Sequence, residues 1–350
     1  MERDHAEHPL VIGHRGAPGY RPEHTRSSYE LAFALGADAV EPDLVATRDG
    51  VIVLRHENEI SGTTDVATRA EFQSRRTTRV IDGVELTGWF TEDFTWAELA
   101  TLRARERLGP LRQASASFDG RYPLMRLRDL FEVIERASEE QGRMLRMVAE
   151  FKHVTYFDGL GLPLDELFAA ELDAAGWGRG DERLIMEAFE PTVLDRLRDL
   201  GVRGQRVFLI EGTGAPADLV AAAAPGAEPA LPYDMFATEA GLLGLAGRFD
   251  GVSVGKARLV GPMPRRRSGV DGVLTGAELV DAAHGAGLAV FTWTLRPENR
   301  FLAPASRRGS VRAAWGDWAG EFGDVIDTGV DGVFVDHPDL GVIAREESQA

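Results

Sequence analysis

The segment GADAV, residues 36–40, puts a glycine at the end of a helical pattern and an aspartate just ahead of a short apolar run. The same order returns in GVDGV at residues 329–333 and, shortened, in FDGV at residues 249–252. Such segments are typical of a helix that ends at a glycine and leads into a strand. Gly201 and Gly287 follow helical patterns in the same way. A repeated helix end, short turn and strand start is what a closed (β/α)8 barrel requires.

Strand-like and helix-like segments alternate along the chain. The predicted strands are Leu10–His14, Ala39–Ala46, Met147–Lys152, Leu184–Ala188, Arg206–Ile210, Gly251–Val254, Ala289–Thr294 and Gly332–Asp336. The predicted helices include Ser28–Leu35, Leu127–Glu140, Leu164–Ala174, Thr192–Leu200 and Gly276–Ala286. This alternation predicts an α/β protein with a parallel sheet, and eight strands favour a TIM barrel. An open doubly wound sheet is the alternative, but it would prefer a glycine-rich loop after its first strand, and Gly159-Leu160-Gly161 lacks that strand context.

Two long segments interrupt the repeat. The first runs from about Glu57 to Tyr122, after a hairpin at Asp49-Gly50 that continues into Val51–Arg55, and holds a short helix near Trp96–Arg107. The second, residues 297–323, follows the seventh strand. Loops this long are more often functional than accidental, and both leave the strand ends where barrel active sites lie. We therefore expect one TIM-barrel domain over residues 1–350, with an insertion subdomain at residues 57–122 that lids the site.

Composition excludes several classes of function. The 350 residues are 44% hydrophobic and 27% charged, as in ordinary soluble proteins. The formal net charge of −17 opposes binding to nucleic acid and to anionic membranes in bulk. No apolar run approaches the roughly 18 to 20 residues that cross a bilayer, so we expect no stable membrane insertion. The first residues lack a basic segment followed by an apolar core, which predicts a cytoplasmic protein unless a leader has been removed.

Acidic side chains cluster on two predicted strands. Side chains two apart on a strand point the same way, so Glu41 and Asp43 share one face, and so do Glu150 and Lys152. Taken singly, the pairs could be a solvated strand face and an internal ion pair. In a closed barrel they would meet, and two like charges about 4 Å apart cost on the order of 4 kcal/mol at an effective dielectric near 20. A cation removes that cost. Because the chain has no cysteine, oxygen ligands predict Mg²⁺ or Ca²⁺ rather than zinc.

Two histidines follow predicted strands. His14 ends the first strand and His56 comes directly after Val51–Arg55. An ordinary histidine pKa near 6.5 suits both general base and general acid work at neutral pH. Arg15 adds a guanidinium fork that can bind two phosphate oxygens. The histidines expected at surface or structural positions are His5, His8, His284 and His337.

A set of motifs in a fixed order resembles the glycerophosphodiester phosphodiesterase family, over nearly the whole chain. The motifs are His14-Arg15-Gly16, Pro22-Glu23-His24-Thr25, Glu41-x-Asp43, Thr47-Arg48-Asp49-Gly50, His56, Thr63-Thr64, Glu150-x-Lys152 and Asp336-x-Pro338. The long segment after His56 and the phrase at residues 294–299 are most similar to the bacterial glycerophosphoryl diester phosphodiesterase branch.

This resemblance implies a TIM barrel that hydrolyses glycerophosphodiesters to glycerol 3-phosphate and an alcohol. It implies a divalent cation, Ca²⁺ or Mg²⁺, held by Glu41, Asp43 and Glu150, with His14 and His56 as the acid/base pair. It also implies that Arg15 and Lys152 bind the phosphate and that Phe189 and Trp293 line the glycerol side. The nucleophile in the related phosphatidylinositol-type phospholipases is the substrate's own neighbouring hydroxyl, which gives a cyclic phosphate that water opens.

Three positions depart from the family pattern. His24 stands where asparagine is usual, Ala188 where serine is usual, and Val335 where threonine is common. None of them removes an expected catalytic group. A lysophospholipase D or a polyol-phosphate polymer hydrolase could use the same residues. A catalytically silent binder of glycerophosphodiesters is a further alternative, although retention of both histidines and all three carboxylates argues against it. An amidohydrolase-type barrel is disfavoured, because it would need two histidines flanking one residue on its first strand and this chain has His14-Arg15-Gly16 there.

Overall fold

The computed structural model describes residues 8–223, 229–261 and 269–349. Its strands are β1 (Leu10–His14), β2 (Ala39–Glu41), β3 (Asp43–Ala46), β4 (Ile52–Leu54), β5 (Thr77–Ile81), β6 (Val84–Gly88), β7 (Arg146–Phe151), β8 (Leu184–Ala188), β9 (Gln205–Ile210), β10 (Gly251–Gly255), β11 (Ala289–Leu295) and β12 (Gly332–Val335). Its α-helices are α1 (Arg26–Ala34), α2 (Trp96–Leu99), α3 (Gln113–Ala116), α4 (Leu127–Gln141), α5 (Val154–Gly159), α6 (Leu164–Ala174), α7 (Pro191–Asp199), α8 (Ala217–Ala222), α9 (Tyr233–Phe236), α10 (Glu239–Leu245), α11 (Gly276–Gly285), α12 (Trp318–Ile326) and α13 (Pro338–Glu347). Short 3-10 turns cover Val66–Thr68, Ala70–Arg75, Thr91–Asp93, Lys256–Arg258 and Pro304–Ser306.

The strands close into a parallel barrel, which confirms the predicted fold class. β1 pairs with both β12 and β2, and β7 through β12 follow in chain order. The closure is completed where β2 and β3 both pair in parallel with β7. β4 lies outside this ring, antiparallel to β3, as the predicted hairpin requires. The open doubly wound alternative is therefore wrong.

Two sequence predictions need correction. The expected single strand Ala39–Ala46 is two strands, β2 and β3, separated at Pro42. Proline has no backbone N–H to give to a ladder, and its carbonyl instead accepts a hydrogen bond from the Glu150 backbone N–H at 3.0 Å. The expected helix near Trp96–Arg107 ends at Leu99, because residues 103 and 104 form β-bridges to Pro123 and Thr64.

The repeated Gly-x-Asp signal proves to tie neighbouring strands together. Gly36 and Gly329 adopt φ angles of 93° and 90°, the left-handed region expected after a helix. In these two segments, and in the shortened one at residues 249–252, the aspartate just ahead of the strand accepts a hydrogen bond from a backbone N–H at the start of the preceding strand. The three such bonds are Val11 to Asp38 at 2.9 Å, Arg206 to Asp250 at 3.0 Å and Val290 to Asp331 at 2.7 Å.

Inward-facing apolar side chains fill the barrel and form an apolar plug. They come from seven of the barrel strands: Ile12, Ala39, Val148, Ile185, Val207, Phe291 and Phe334. A larger apolar cluster packs the outer face of the sheet against the helices. This apolar plug fills the interior of the barrel. Polar side chains nearer the C-terminal ends of the same strands therefore lie at the rim, where barrel active sites are found.

The first excursion carries its own hairpin. β5 and β6 pair in an antiparallel ribbon, and the segment also holds α2 and α3. Whether residues 57–122 form a subdomain remains a prediction. In the described part of the chain, every helix is too short or too polar to span a bilayer.

Candidate active site

The site is the layer of side chains directly above the apolar plug. Alternate residues on a strand point the same way, so the residue two positions after each plug residue also faces inward. This rule yields His14, Glu41, Glu150, Glu187, Leu209, Trp293 and Asp336. Six of these seven are polar or aromatic, and all but Asp336 line one cavity of about 840 Å³.

His14 is held at its Nδ1 atom. That nitrogen lies 2.6 Å from Asp336 Oδ1, and both residues are buried. A carboxylate can only accept a hydrogen bond, so a neutral His14 carries its proton on Nδ1 and leaves Nε2 free to accept one. Nε2 lies 3.8 Å from Glu41 Oε2. Burial and the nearby cation of Arg15 lower the pKa of His14 to about 3.

His56 is held in the same way. Its Nδ1 lies 2.6 Å from Glu57 Oε1, and it lines the same cavity as His14. Burial, Arg15 and Lys152 lower the pKa of His56 as well. Each imidazole therefore has an Nδ1 partner that is a carboxylate, and each favours the neutral form in which Nε2 is a base.

Three carboxylates converge where β2, β7 and β8 meet. Oxygen atoms of Glu41, Glu150 and Glu187 lie within 4.8 Å of one another. Burial and neighbouring carboxylates raise the pKa of Glu41 and Glu187 well above the ordinary value. Burial likewise raises the pKa of Glu150 to about 8. Both carboxylate oxygens of Glu187 are buried and lack a hydrogen-bond partner in the described structure.

Asp43, the third predicted ligand, lies beside this group rather than in it. Its Oδ2 accepts a hydrogen bond from His24 Nε2 at 2.9 Å, while Oδ1 is buried without a hydrogen-bond partner. Lys152 Nζ is 3.6 Å from Oδ1. Burial opposes ionisation of Asp43, but Lys152 and His24 hold its pKa well below the usual value. His24, the departure from the family pattern, thus supports Asp43, and its Nδ1 bonds the Tyr29 hydroxyl at 2.7 Å.

Two cations face this acidic group. Arg15 donates from Nη1 to Glu23 Oε2 at 3.2 Å, and its Nε lies 3.4 Å from Asp43 Oδ2. Lys152 contacts Glu150 and Asp43. Both side chains are buried, and both line the cavity. The cavity therefore presents a positive wall next to a cluster of carboxylates.

Aromatic rings form another wall. Phe189 and Trp293 meet edge to face with ring centroids 5.9 Å apart. Lys152 Nζ lies 5.9 Å from the centre of the Phe189 ring. Further out, the cavity is lined by Tyr156, Tyr233 and the exposed valines Val80 and Val220.

The structure brings the predicted site residues together around one cavity, apart from Asp43, which is buried and does not line it. Sequence analysis missed Glu187, although its strand was predicted correctly. The available signal was its position in the predicted strand Leu184–Ala188, where it lies directly opposite Glu150 on the neighbouring strand. Of the other histidines, His337 is buried, His284 bonds Asp331, His8 is exposed, and His5 lies outside the described residues.

Comparison with known proteins gives a consistent result. Residues 14–340 match the model of the glycerophosphoryl diester phosphodiesterase family. A glycerophosphodiester phosphodiesterase of Arabidopsis thaliana is 27% identical over 307 residues, which cover 84% of this chain and 76% of the plant protein. A glycerophosphodiester phosphodiesterase of Haemophilus influenzae is 27% identical over 197 residues. That alignment spans 54% of this chain and 52% of the relative, about half of each.

Solved structures share the fold. A candidate glycerophosphoryl diester phosphodiesterase from Silicibacter pomeroyi superposes with a TM-score of 0.66 at 20% identity, covering 99% of this chain and 95% of the other. An Oleispira antarctica phosphodiesterase in complex with the product sn-glycerol-3-phosphate gives a TM-score of 0.61 at 18% identity, with 97% of both chains covered.

Proposed function

Because the chain belongs to the glycerophosphoryl diester phosphodiesterase family and is thus a phosphoric diester hydrolase, we propose that it cleaves glycerophosphodiesters with His14 and His56 as its acid/base pair. The products are glycerol 3-phosphate and a free alcohol. The observation that carries the assignment is that both histidines line one cavity and each has its Nδ1 bonded to a carboxylate.

The two histidines exchange protons with the reacting oxygens. One takes the proton of an attacking hydroxyl at Nε2 as the new P–O bond forms. The other, protonated at Nε2, gives its proton to the alcohol oxygen as the old P–O bond breaks. The two imidazoles then hold the opposite protonation states, and a second proton exchange resets them. Asp336 and Glu57 favour Nδ1–H in both residues, which leaves Nε2 for this chemistry.

Arg15 and Lys152 are proposed to bind the phosphate. Charge on the phosphoryl oxygens grows as the new bond forms, and preorganised cations stabilise that charge without reorganising. Phe189 and Trp293 offer apolar surface beside Lys152 for the carbon atoms of glycerol. The buried position of both cations strengthens their attraction for an anion, because little water screens it.

The residues fit a divalent cation. Asp43 Oδ1 and both Glu187 oxygens are buried without a hydrogen-bond partner among the described residues, and the oxygen atoms of three carboxylates lie within 4.8 Å of one another. Glu41, Asp43 and Glu150 are the proposed ligands. Glu187 adds a fourth carboxylate, which is grouped with Glu41 and Glu150, while Asp43 lies beside that group. A hard cation such as Ca²⁺ or Mg²⁺ prefers oxygen ligands of this kind. When bound, it would act as a Lewis acid toward a phosphoryl oxygen.

One observation favours a second candidate substrate. The outer cavity is lined by Val80 and Val220, whose side chains are largely exposed, and its volume of about 840 Å³ exceeds the need of a small glycerophosphodiester. A lysophospholipid could place its acyl chain along this apolar rim. A lysophospholipase D reaction would use the same histidines and the same phosphate site.

The test is a substrate screen with and without divalent ions. We expect glycerophosphoethanolamine and glycerophosphocholine to release glycerol 3-phosphate, EDTA to abolish the release, and Ca²⁺ or Mg²⁺ to restore it. Preferred turnover of lysophosphatidylcholine would instead favour the second candidate. Absence of product from every diester, with binding retained, would leave a silent binder and refute the proposal.

The assignment of the histidines is tested by substitution. His14→Ala and His56→Ala should each lower kcat by about 10²-fold or more. His284→Ala is the matched control, since His284 bonds Asp331 outside the cavity. Circular dichroism and melting curves verify that each variant folds. Near-normal turnover in either His14→Ala or His56→Ala would rule out the pairing.

A further inference from the structure

Two arginines of the first excursion bind the carboxylates that contact the two histidines. Arg107 and Arg112 lie in the loop between α2 and α3, five positions apart in the sequence. Neither residue lines the cavity in the described structure. Each one donates hydrogen bonds to the carboxylate that holds a histidine Nδ1. Two parallel chains of contacts result, one ending at His56 and the other at His14.

The first chain runs from Arg107 through Glu57 to His56. Arg107 Nη1 and Nη2 donate to Glu57 Oε1 and Oε2 at 2.9 and 2.6 Å, a bidentate pair. Glu57 Oε1 in turn lies 2.6 Å from His56 Nδ1. Arg107 also donates from Nε and Nη2 to Glu23 at 2.9 and 2.7 Å. Glu23 is buried and holds the Arg107 guanidinium in place. The guanidinium in turn fixes the plane of the Glu57 carboxylate.

The second chain runs from Arg112 through Asp336 to His14. Arg112 Nη2 donates to Asp336 Oδ2 at 2.6 Å, and Asp336 Oδ1 lies 2.6 Å from His14 Nδ1. Arg112 Nε donates to Glu298 Oε1 at 2.6 Å, which ties the first excursion to the second. Asp336 Oδ2 also accepts a hydrogen bond from Arg296 Nε at 2.6 Å.

We propose that Arg107 and Arg112 are positioning residues for the acid/base pair: the excursion at residues 57–122 fixes the Nδ1–H tautomer and the ring orientation of His56 and His14. The inference rests on the proposed function, which gives these histidines their roles. Its physical basis is that a carboxylate bonded to a guanidinium cannot rotate away from the imidazole: Arg107 bonds both oxygens of Glu57, and Arg112 bonds Asp336 Oδ2 while Oδ1 contacts His14. Proton transfer at Nε2 depends on that orientation.

The two chains differ in redundancy. Glu57 keeps about a third of its side chain exposed, and within the described residues its one arginine partner is Arg107. Asp336 is buried and has Arg296 as a second partner beside Arg112. Loss of Arg107 is therefore expected to free Glu57 and His56 more completely than loss of Arg112 frees Asp336 and His14. Arg107 is also the safer position to change, because Arg112 is almost wholly buried between two carboxylates.

The experiment compares Arg107→Met, Arg107→Lys and Glu57→Gln in the 350-residue chain supplied with Ca²⁺ or Mg²⁺. Arg75→Met is the matched control: Arg75 binds both oxygens of Glu98 in the same excursion, and its side chain is 28% exposed against 29% for Arg107. We expect Arg107→Met to lower kcat at least about tenfold, a part of the roughly 10²- to 10⁴-fold that positioned proton transfer contributes. Arg107→Lys should recover part of the loss, and Arg75→Met should show none.

A double-mutant cycle and a spectroscopic readout separate positioning from general damage. The double variant Arg107→Met with Glu57→Gln should lose no more activity than the worse single variant, because both act through His56. Nitrogen chemical shifts of the His56 ring should change from one tautomer to a mixture in Arg107→Met but not in Arg75→Met. Arg112→Lys should produce a smaller change of the same kind at His14.

The outcomes are distinguishable from failure of the proposed function, since the tautomer is measured without turnover. A changed His56 tautomer with unchanged kcat would show that His56 is not the catalytic base or acid, and would overturn both proposals. A loss of kcat without any tautomer change, or with strictly additive losses, would overturn the positioning role alone. Equal behaviour of Arg107→Met and Arg75→Met would do the same.

Discussion

At the scale of single residues, the loop after β1 contains backbone conformations that side chains rarely adopt. Arg15 has a φ of 61° and Gly16 a φ of 94°. The left-handed region costs a residue with a Cβ about 1–2 kcal/mol. The Arg15 backbone N–H donates to Glu41 Oε2 at 3.1 Å, which offsets part of that cost. The strained turn thus joins the proposed phosphate-binding arginine to a proposed metal ligand.

Gly16→Ala tests how tightly this turn is built. A Cβ at Gly16 would lie 2.5 Å from Ser28 Oγ and 2.7 Å from the Ser28 carbonyl carbon. We expect the free energy of unfolding to fall by at least about 2 kcal/mol, from the left-handed φ and the clash together. Gly287→Ala is the control, because its φ is 76° but nothing lies within 4 Å of its Cβ position. Urea denaturation measures both, and equal losses would contradict the steric argument.

At the scale of secondary-structure elements, the β5–β6 hairpin brings its turn to the cavity wall. Its turn, Asp82-Gly83, has φ angles of 49° and 80°, which suit a tight hairpin. Asp82 Oδ2 lies 2.6 Å from His153 Nδ1, directly after Lys152 at the end of β7. Val80, Asp82 and Gly83 all line the cavity. The hairpin is the part of the excursion at residues 57–122 that can act as the predicted lid.

Shortening this hairpin should change substrate choice. If residues 80–85 are replaced by a short glycine-serine link, we expect the ratio of kcat/KM between a bulky diester, glycerophosphoinositol, and a small one, glycerophosphoethanolamine, to rise severalfold. Thr87→Ala is the control, since it removes only the exposed hydroxyl contact with Thr78. Steady-state kinetics on both substrates give the ratio. An unchanged ratio in the shortened variant would count against a lid.

At the scale of the whole molecule, the fold concentrates acidic side chains at one buried place. Glu41, Asp43, Glu150 and Glu187 are each at most 5% exposed. Burial first, and repulsion between the carboxylates second, raise the pKa values of Glu41 and Glu187 well above the ordinary value. This repulsion opposes folding of the metal-free chain. A cation that binds the folded state alone should therefore stabilise the protein as well as support its chemistry.

Glu187→Gln should act in opposite directions on stability and on metal affinity. Removing one buried charge should raise the melting temperature in EDTA, because the carboxylates then repel less. Ca²⁺ or Mg²⁺ at 100 times its Kd should stabilise the wild-type protein by about 2.7 kcal/mol. At that same ion concentration the stabilisation of Glu187→Gln by the ion should be smaller, because the variant binds the ion more weakly. Calorimetric titration and melting curves measure both effects.

The exposed residue Glu182 provides the control for that prediction. Glu182→Gln changes the net charge by the same amount without altering the pocket. A melting temperature that does not change when Ca²⁺ or Mg²⁺ is added would contradict the proposed site. So would an equal stabilisation of Glu187→Gln and Glu182→Gln by the ion.

The sequence by itself determined the barrel and most of the site. Helix-ending glycines and short apolar runs are local signals, and eight apolar runs that alternate with helical segments favour a closed parallel sheet. The strand ends then place His14, Glu41 and Glu150 at one rim, because the direction of a side chain follows from its position along the strand. The split at Pro42 and the inward direction of Glu187 follow from the same local rules, since proline lacks a backbone N–H and Glu187 lies two positions after the inward-facing Ile185.

Only the tertiary structure decided what lies behind the histidines. Arg112 is 224 positions from Asp336 in the sequence, and Arg107 is 84 from Glu23. Both arginines lie in a loop without the periodicity that tells where a side chain points. Such contacts arise when the excursions pack onto the finished barrel, since a loop's course depends on the surface that it meets. A local pattern therefore predicts the elements and their faces, while partners across long chain separations are fixed only when the whole molecule is folded.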